Sequence, residues 1–184
     1  MISDTNIFVA AESITKADTL LITAGAGIGV DSGLPDFRGN QGFWNIHPIY
    51  AGQGLTFHDL ANPEWFFAEP RRTWGFYGYR YHLYQNTTPH KGFALLKSWQ
   101  DGKATPGFVY TSNVDGQFQK AGFAADQIYE CHGSILHLQC CMACNDNIWP
   151  ARDLRLEIDA DNMLAIGRLP TCPDCGGFAP APIF

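Results

Sequence analysis

The sequence lacks a long apolar run, an excess of basic residues and a basic, apolar start. A membrane-spanning helix needs about 20 consecutive apolar residues, and a secretory signal needs a charged and then an apolar segment, so we expect neither. A nucleic-acid surface requires clustered Lys and Arg, whereas the formal net charge here is −6. We therefore expect a cytoplasmic protein with no membrane or nucleic-acid partner.

The length and composition are those of a globular chain. With 184 residues, 46% of them hydrophobic, it can bury a core, most simply as one domain with a smaller module attached. Cysteine is scarce outside one region, because five of the six cysteines lie between Cys140 and Cys175. In a reducing compartment such clustering indicates a metal site more than disulfides.

A glycine-rich turn follows a short apolar run near the N-terminus. The run 20–24 predicts a buried strand, and Gly25, Gly27 and Gly29 come directly after it. Without side chains, these glycines let the backbone approach a pyrophosphate, which the N–H groups of a following helix would bind. Val30 occupies the place of the third glycine in the standard dinucleotide fingerprint, so the glycines alone also fit a plain strand-to-helix turn.

The segments around this turn predict helices and one loop. Residues 4–18 have the spacing of an amphipathic helix packed on the sheet, and 41–54 is expected to be a loop that closes over a ligand. Residues 56–84 are aromatic and interrupted by prolines, which predicts two or three short helices in a lobe outside the sheet. Within that lobe Tyr77 and Arg80 are three positions apart, so on a helix they would share a face that fits a carboxylate or simply an aromatic surface.

Helix and strand patterns then repeat. A helix is expected over 90–99 and strands over 108–111 and 127–130, so the chain is predicted to form a parallel sheet. Ligands of such sheets lie at the carboxyl ends of the strands. The polar segment 112–116 and His132 both follow predicted strands, although a capped turn and a structural histidine would give the same patterns.

Two cysteine hooks close the sequence. Cys172 and Cys175 form one hook, and Cys144 pairs with either Cys140 or Cys141 in the other. Four thiolates from two such hooks fill the tetrahedral coordination of Zn²⁺, which predicts a structural site with no position for water. His137 is a further possible ligand.

Together these motifs resemble the sirtuins, the NAD-dependent protein lysine deacylases. The resemblance extends over nearly the whole chain and rests on the cysteine hooks and on four further segments: Gly25-Ala26-Gly27, Ser32-Gly33-Leu34-Pro35-Asp36-Phe37-Arg38, Asn113-Val114-Asp115-Gly116 and His132-Gly133-Ser134. It implies an α/β fold, a Rossmann-like parallel sheet with helices on both faces, plus a small four-cysteine zinc-binding module.

The resemblance also implies the cosubstrate and its chemistry. The acyl-lysine oxygen attacks C1′ of the nicotinamide ribose of NAD, nicotinamide leaves, and His132 as general base activates a ribose hydroxyl that carries the acyl group away as O-acyl-ADP-ribose. Asn113 is implied to order water and substrate near the ribose. The residues implied to bind NAD are Gly25, Ala26, Gly27, Asp36, Phe37, Arg38, Ser112, Asn113 and Asp115. Gly29 and Ser112 depart from the family, which usually has Ser and Gln there.

Two further details follow from the resemblance. Tyr77 and Arg80 match the Tyr-x-x-Arg motif of the subgroup that removes succinyl and malonyl groups, so the expected partners are proteins or peptides with acylated lysine, the acyl group acidic or acetyl. The family's offset from His132 favours Cys140 over Cys141 as the first zinc ligand, giving Cys140, Cys144, Cys172 and Cys175 with Zn²⁺.

The expected domain division is as follows: a Rossmann-like NAD-binding part at 1–40 and 86–135, a helical cofactor-loop insertion at 41–85, the zinc-binding module at 136–179, and the start of a return to the large domain at 180–184. Sirtuins continue into further strands, without which the sheet would expose an edge and an apolar face. Either later residues or a partner would complete it. The alternatives are a truncated, non-catalytic NAD- or ADP-ribose-binding module and an NAD glycohydrolase or ADP-ribosyltransferase.

Overall fold

The computed structural model describes residues 3–36, 39–177 and 181–182, with 39–41 and 181–182 described by their backbone. Its α-helices are α1 Asp4–Lys16, α2 Gly39–Ile46, α3 Pro48–Gly52, α4 Phe57–Leu60, α5 Trp65–Ala68, α6 Pro70–Asn86, α7 Lys91–Asp101 and α8 Gln117–Lys120. Its strands are β1 Leu21–Ala24, β2 Phe108–Thr111, β3 Ile128–Glu130, β4 His137–Gln139, β5 Ile148–Pro150, β6 Glu157–Asp159, β7 Leu164–Ile166 and β8 Ala181–Pro182. Short 3₁₀ helices lie at Ala26–Ser32, Ala125–Gln127 and Ala151–Asp153.

The first three strands form the parallel sheet that the sequence predicts. They pair in the order β1-β2-β3, with Ile22 beside Val109 and Val109 beside Ile128. The side chains of these residues share one face, where they pack against Phe93 of α7 and Phe118 of α8. The Rossmann-like fold class is therefore confirmed, with α7 and α8 as the cover of this face.

The other face of the sheet is open in the described part of the chain. Leu21, Phe108, Tyr110 and Tyr129 alternate with the buried positions, and each of the four side chains is at least 40% exposed. Helices were expected on both faces of the sheet, and among the described residues they cover one face. The sequence also predicts an exposed apolar face, and the structure shows one.

Helix α1 forms, but it does not pack as the sequence predicts. Ser3 caps its first turn by accepting a hydrogen bond from the Asn6 amide, and Asp4 lies in that turn. The helix nevertheless buries none of its residues, and Phe8 is 70% exposed. The prediction that α1 packs on the sheet is wrong within the described residues, because an apolar periodicity identifies a helix face but not the surface that receives it.

Residues 39–86 form the helical lobe, which comprises α2 to α6. The expected loop at 41–54 is wrong, since α2 and α3 occupy most of it. Phe43 and Tyr50 are completely buried there and stack with ring centroids 5.8 Å apart. Burying each aromatic ring contributes about 1.5–3 kcal/mol, which outweighs the weak helix propensity of the glycines nearby. The expected helices of 56–84 are α4, α5 and the longer α6.

The C-terminal part packs on α6. Strands β6 and β7 form an antiparallel hairpin that contacts this helix, and a Cβ at Gly78 would lie 2.8 Å from Ile158 Cδ1. Arg71 of α6 donates hydrogen bonds to the carbonyl oxygens of Ala165 and Gly167. Residues 153–161 form a charged insert between the two cysteine hooks. Its charged side chains are largely exposed, whereas Leu156 is buried against α6. No helix among the described residues has the length and apolarity of a membrane span.

Candidate active site

The carboxyl ends of β1, β2 and β3 meet at one edge of the sheet, because all three strands run parallel. Hydrogen bonds connect the segments that follow them. The Asn113 side-chain amide donates to the Gly25 carbonyl oxygen at 3.0 Å, and the Cys131 amide donates to the Thr111 carbonyl oxygen at 2.9 Å. The Ile135 amide donates to the carbonyl oxygen of Val114 at 3.1 Å. Three segments distant in the sequence are thus held together by two backbone hydrogen bonds and one from a side chain.

The glycine turn leads into a 3₁₀ helix, Ala26–Ser32. His90, the N-cap of α7, holds this segment from outside: its Nε2 lies 2.8 Å from the Ile28 carbonyl oxygen, and its amide donates to Ser32 Oγ at 3.0 Å. Nδ1 of the same ring accepts a hydrogen bond from the Gly92 amide. Sequence reasoning missed this role of His90, whose only signal is its position at a helix start.

Gly29 has a structural reason for lacking a side chain. It is buried, and a Cβ there would lie 3.2 Å from Leu34 Cδ1, tighter than ordinary contact. At Gly25 an added Cβ would touch Ser112 Oγ at 3.7 Å, an ordinary contact, so no neighbour among the described residues requires glycine there. The bare backbone at Gly25 therefore remains available to a ligand, whereas Gly29 serves the packing of the turn.

A cavity of about 690 Å³ opens at this edge. Its first wall, the strand-end wall, comes from the segments that follow β1, β2 and β3: Ala26, Ser112, Asn113, Val114, Asp115, Cys131 and His132. The opposite wall, the lobe wall, consists of Phe57, His58, Ala61, Arg80 and Tyr84. The segment that joins β1 to the lobe adds Leu34, Pro35 and Asp36. The cavity is large enough for a small-molecule ligand and has polar groups concentrated on one side.

Arg80 is the buried cation of the lobe wall. Its Cζ lies 5.1–5.9 Å from the ring centroids of four aromatic residues, Phe57, Phe76, Tyr77 and Tyr84. Its Nε donates a hydrogen bond to the Tyr84 hydroxyl at 3.2 Å. The aromatic faces and the hydroxyl fix the guanidinium where it borders the cavity, which suits the recognition of an anion.

Tyr77 is placed differently from Arg80. Both lie on α6 as predicted, but of the two only Arg80 lines the cavity. The Tyr77 ring stacks on Phe66, and its hydroxyl donates to the Ala61 carbonyl oxygen at 3.4 Å. Burial raises the pKa of Tyr77 to about 12, an effect that the nearby Arg80 partly opposes. The Tyr77 ring centroid lies 5.9 Å from Arg80 Cζ, and the Tyr77 hydroxyl contacts Ala61, which itself lines the cavity, so the joint role of Tyr77 and Arg80 in binding substrate stays a prediction.

Asp115 and His132 occupy the strand-end wall with different exposures. Asp115 is 8% exposed, and its Oδ1 accepts a hydrogen bond from the Gln117 amide at 2.9 Å. Burial raises the pKa of the Asp115 carboxyl group, while hydrogen bonding and the charges of Arg80 and Lys120 oppose the rise. His132, in contrast, is exposed to the cavity. A buried carboxyl and an accessible imidazole are thus available at one edge of the sheet.

Four cysteines converge in the C-terminal module. The Sγ atoms of Cys140, Cys144, Cys172 and Cys175 all lie within 4.8 Å of one another. The Cys140–Cys175 and Cys144–Cys172 sulfur distances are 3.6 and 3.7 Å. A zinc tetrahedron with bonds of about 2.3 Å has sulfur atoms about 3.8 Å apart, so the four thiols fit Zn²⁺. Cys140 instead of Cys141 completes the set, and His137 is exposed on β4, outside the cluster.

The sequence of this protein was compared with known families and proteins. The model of the Sir2 family matches residues 25–183, which includes the glycine turn, the three strand ends and both cysteine hooks. The chain belongs to the Sir2 family. Sir2 relatives with curated names include an NAD-dependent protein deacylase of Aeropyrum pernix, 30% identical over 93% of this chain, and an NAD-dependent protein deacetylase of Saccharolobus solfataricus, 32% identical over 92%. This Sir2 chain spans 60% of the length of each of these two relatives.

Solved Sir2 structures share the fold. The crystal structure of a Sir2 homologue in complex with NAD superposes with a TM-score of 0.71 at 27% identity, covering 94% of this chain and 59% of the other. A Sir2 homologue in complex with 2′-O-acetyl ADP-ribose gives the same TM-score at 27% identity and covers 95% of this chain and 61% of that one. The Sir2 fold is thus shown by sequence and by structure.

The structure gathers most of the expected Sir2 site residues. Ala26, Asp36, Ser112, Asn113, Asp115, His132 and Arg80 all line one cavity. Phe37 and Arg38 lie outside the described residues. Sequence reasoning missed Phe57, His58, Ala61, Tyr84 and Cys131 as cavity residues. The one available signal was the spacing of Tyr84, four positions after Arg80 on a helix, which places the two side chains on one face.

Proposed function

We propose that this chain carries the NAD site and the catalytic residues of an NAD-dependent protein lysine deacylase. The observation that supports this most is the cavity in which Asn113, Asp115 and His132 meet the segment after Gly25. Relatives named as deacylases and the homologue solved with NAD support the same reaction. The division into a sheet part at 1–40 and 86–135, an insertion at 41–85 and a module at 136–179 belongs to this proposal.

NAD supplies an electrophilic ribose carbon with nicotinamide as its leaving group. In our proposal the backbone at Gly25, Ala26 and Gly27 receives the phosphates, where the missing side chain at Gly25 leaves room. Asp115 accepts hydrogen bonds from the nicotinamide amide, which its burial favours because competing water is excluded. Asn113 is fixed by its bond to the Gly25 carbonyl oxygen and orders the groups near the ribose.

His132 acts as the general base in this proposal. An imidazole is suited to accept a proton near neutral pH, and the ring of His132 is exposed to the cavity instead of being enclosed in the core. The proton that it takes comes from a ribose hydroxyl, which then accepts the acyl group from lysine. This activation of a hydroxyl nucleophile is the step for which the site needs a base.

The preferred acyl group is proposed to be acidic, with acetyl also accepted. Arg80 brings a positive charge to the lobe wall, and a guanidinium can hold a carboxylate through two parallel hydrogen bonds. Since Tyr77 faces Ala61 and Phe66, we assign the carboxylate contact to Arg80 and a supporting role beneath it to Tyr77.

Zn²⁺ is proposed to be held by Cys140, Cys144, Cys172 and Cys175 as a structural ion. Four thiolates leave no open position, so the metal stabilises the module and takes no part in bond breaking. Metal analysis of the purified protein should find about one zinc per chain. A content well below this value, with all four thiols reactive toward a thiol reagent, would remove the zinc assignment.

The decisive test is an assay with NAD and peptides that carry succinyl-lysine, malonyl-lysine or acetyl-lysine. Mass spectrometry of the peptide and quantification of nicotinamide should show free lysine and nicotinamide formed in equal amounts. Nicotinamide release that does not depend on the peptide would indicate a glycohydrolase, and ADP-ribose attached to protein would indicate a transferase. NAD binding without either product would indicate a binding module.

A further inference from the structure

Lys120 of α8 bonds to the end of another helix. Its ammonium group donates hydrogen bonds to the main-chain carbonyl oxygens of Tyr84, Gln85 and Thr87, with Nζ–O distances of 2.6, 2.8 and 3.1 Å. An ammonium group carries three N–H donors, so these three carbonyl oxygens use all of them. Lys120 is therefore fully committed to the C-terminal end of α6.

The C-terminal end of α6 needs such a partner. Its last turn contains no basic residue of its own. The last four carbonyl oxygens of a helix have no partner within the helix, and the negative end of the helix dipole lies there. The Thr87 hydroxyl donates to the Leu83 carbonyl oxygen at 2.8 Å, and Lys120 supplies donors to the next two. A cation from α8 thus completes the end of α6 from outside.

Gln117 makes a second connection between the same two helices. Its side-chain amide donates to the Thr87 carbonyl oxygen at 3.3 Å. Its main-chain amide donates to Asp115 Oδ1 at 2.9 Å, and the residue is completely buried. Helix α8 is therefore bonded at its start to Asp115 and along its side to the end of α6.

The bonds of Lys120 lead through Tyr84 to Arg80. Lys120 bonds the main chain of Tyr84, and the hydroxyl of the same tyrosine accepts a hydrogen bond from Arg80 Nε at 3.2 Å. Arg80 and Tyr84 lie about one turn apart on α6, and both line the cavity. A shift of the last turn of α6 would move the Tyr84 hydroxyl, and the packed rings around Arg80 would transmit that shift to its guanidinium.

We propose that Lys120 is a positioning residue that sets the distance between Arg80 in the lobe wall and Asp115 in the strand-end wall. This inference rests on the proposed function, in which Arg80 contacts the carboxylate of an acidic acyl group and Asp115 binds nicotinamide. The acyl group must meet the nicotinamide ribose for the reaction, so the separation of the two walls decides whether an acidic acyl-lysine is held in the reactive position. Lys120 does not itself line the cavity.

The charge of Lys120 offers a different route to the same site. Burial raises the pKa of the Asp115 carboxyl group, and the charge of Lys120 is one of the effects that oppose this rise. A role through charge alone would act on Asp115 and would affect every acyl peptide alike. A role through position would act on the carboxylate that Arg80 contacts. The preference between acyl groups therefore separates the two routes.

The kinetic test compares succinyl-lysine and acetyl-lysine peptides, with NAD, in the full chain. Lys120→Met keeps the apolar stem and removes all three donors. The ratio of succinyl to acetyl kcat/KM should fall by roughly 3- to 30-fold, because misplacing a binding group by about 1 Å costs up to about 100-fold. Both rates are measured on one preparation, so a loss of folded protein cancels from the ratio. An unchanged ratio, or equal losses on both peptides, would overturn the proposal.

Two further variants sharpen this comparison. Lys120→Arg keeps a cation with several donors on a long stem and should recover part of the lost ratio. The matched control is Lys16→Met, since Lys16 is exposed on α1 and pairs only with Glu12 among the described residues; it should retain the wild-type ratio. A ratio for Lys120→Arg as low as that for Lys120→Met would contradict the role of the donors.

A double-mutant cycle tests whether Lys120 acts through Arg80. In an Arg80→Met background the carboxylate has lost its proposed contact, so adding Lys120→Met should lower the ratio of succinyl to acetyl kcat/KM no further. Losses that multiply would show that Lys120 acts on the substrate by another route, which would overturn the proposal.

A structural readout keeps the inference independent of the deacylase assignment. In ¹H–¹⁵N spectra of the folded protein, Lys120→Met should shift the amide signals of 83–87 at the end of α6 and the Nε–H signal of Arg80. Shifts confined to α8 would overturn the positioning role even in an active enzyme. If the wild type deacylates no peptide, the proposed function fails, and these spectra still decide whether Lys120 positions Arg80.

Discussion

The two walls of the cavity differ in the polarity of their residues and in the contacts that fix their positions. The strand-end wall is polar, and its positions are set by backbone hydrogen bonds between neighbouring strands, such as those of Cys131 and Ser112. The lobe wall is mostly aromatic, and the position of its one buried cation, Arg80, is set by the side chains packed around it. The comparison teaches that the proposed reacting groups lie on a scaffold of fixed geometry, while the proposed recognition of the acyl group depends on side-chain packing.

Replacing His132 tests the strand-end wall and should have the largest effect. His132→Ala should lower deacylation by about 1,000-fold for succinyl and acetyl peptides alike, because general-base catalysis contributes about 100- to 10,000-fold whatever the acyl group. NAD binding, measured by calorimetry, should persist. The control is His137→Ala, an exposed histidine outside the cavity. An unimpaired rate of His132→Ala would refute the assignment of the base.

A fall in pH should destabilise the helical lobe behind the lobe wall through His47. This imidazole is 3% exposed, lies 4.9 Å from the ring of Tyr79, and has an Nε2 that makes no hydrogen bond within the described chain. Burial, with a smaller contribution from the charge of Arg80, lowers the pKa of His47 from 6.5 to about 4. Between these values the unfolded chain takes up a proton that the folded lobe does not, so stability falls as the pH falls below 6.5.

Urea unfolding at two pH values measures this contribution. From pH 7 to pH 5 the wild type should lose about 2 kcal/mol more of its free energy of unfolding than His47→Leu does. Glu130 changes stability in the opposite sense, because its raised pKa makes the folded state bind more protons than the unfolded state, so that its contribution is lost as the pH rises through about 7. Both proteins retain Glu130, so this contribution cancels. Equal pH dependence of the two proteins would contradict the role of His47.

Replacing Arg80 should slow the removal of acidic acyl groups and leave the removal of acetyl groups nearly unchanged. Arg80→Met removes the charge and keeps an apolar stem, so kcat/KM for succinyl and malonyl peptides should fall by roughly 10- to 100-fold, the value of a lost charged hydrogen bond. The acetyl peptide should change by less than about threefold and serves as the internal control. Equal losses on all peptides would count against carboxylate recognition and would favour a role for Arg80 as the cation beside Asp115, whose pKa it lowers.

The smallest effect is expected from removing the hydrogen bond between Arg80 and Tyr84. Tyr84→Phe removes the hydroxyl that accepts a hydrogen bond from Arg80 Nε and leaves the ring in place. The ratio of succinyl to acetyl kcat/KM should fall by about two- to tenfold, since one hydrogen bond contributes about 0.5–1.5 kcal/mol. Tyr81→Phe, which loses a bond to the Ala151 carbonyl oxygen outside the cavity, is the matched control. A ratio unchanged from wild type would show that the aromatic rings alone orient Arg80.

The sequence predicted correctly those features that depend on neighbouring residues or on the parallel order of the strands. Strand β2 was recognisable as a short run of aromatic and β-branched residues, and the parallel order of three strands placed Gly25, Asn113 and His132 at one edge. The prediction for residues 41–54 failed because the aromatic contacts of Phe43 and Tyr50 with the rest of the lobe decide that segment. The hydrogen bond of the Tyr77 hydroxyl to the Ala61 carbonyl oxygen could not be read from the spacing of Tyr77 to Arg80, since a shared helix face does not fix a side-chain direction.

The sequence by itself determined the cysteine hooks, the glycine turn and the family, because each depends on residue types at short, fixed separations. Only the tertiary structure decided that α4 supplies Phe57 and His58 to the lobe wall and that Arg80 lines the same cavity as Asp115. These contacts join residues far apart along the chain. Their free energy depends on how whole elements pack, and no local pattern records that packing.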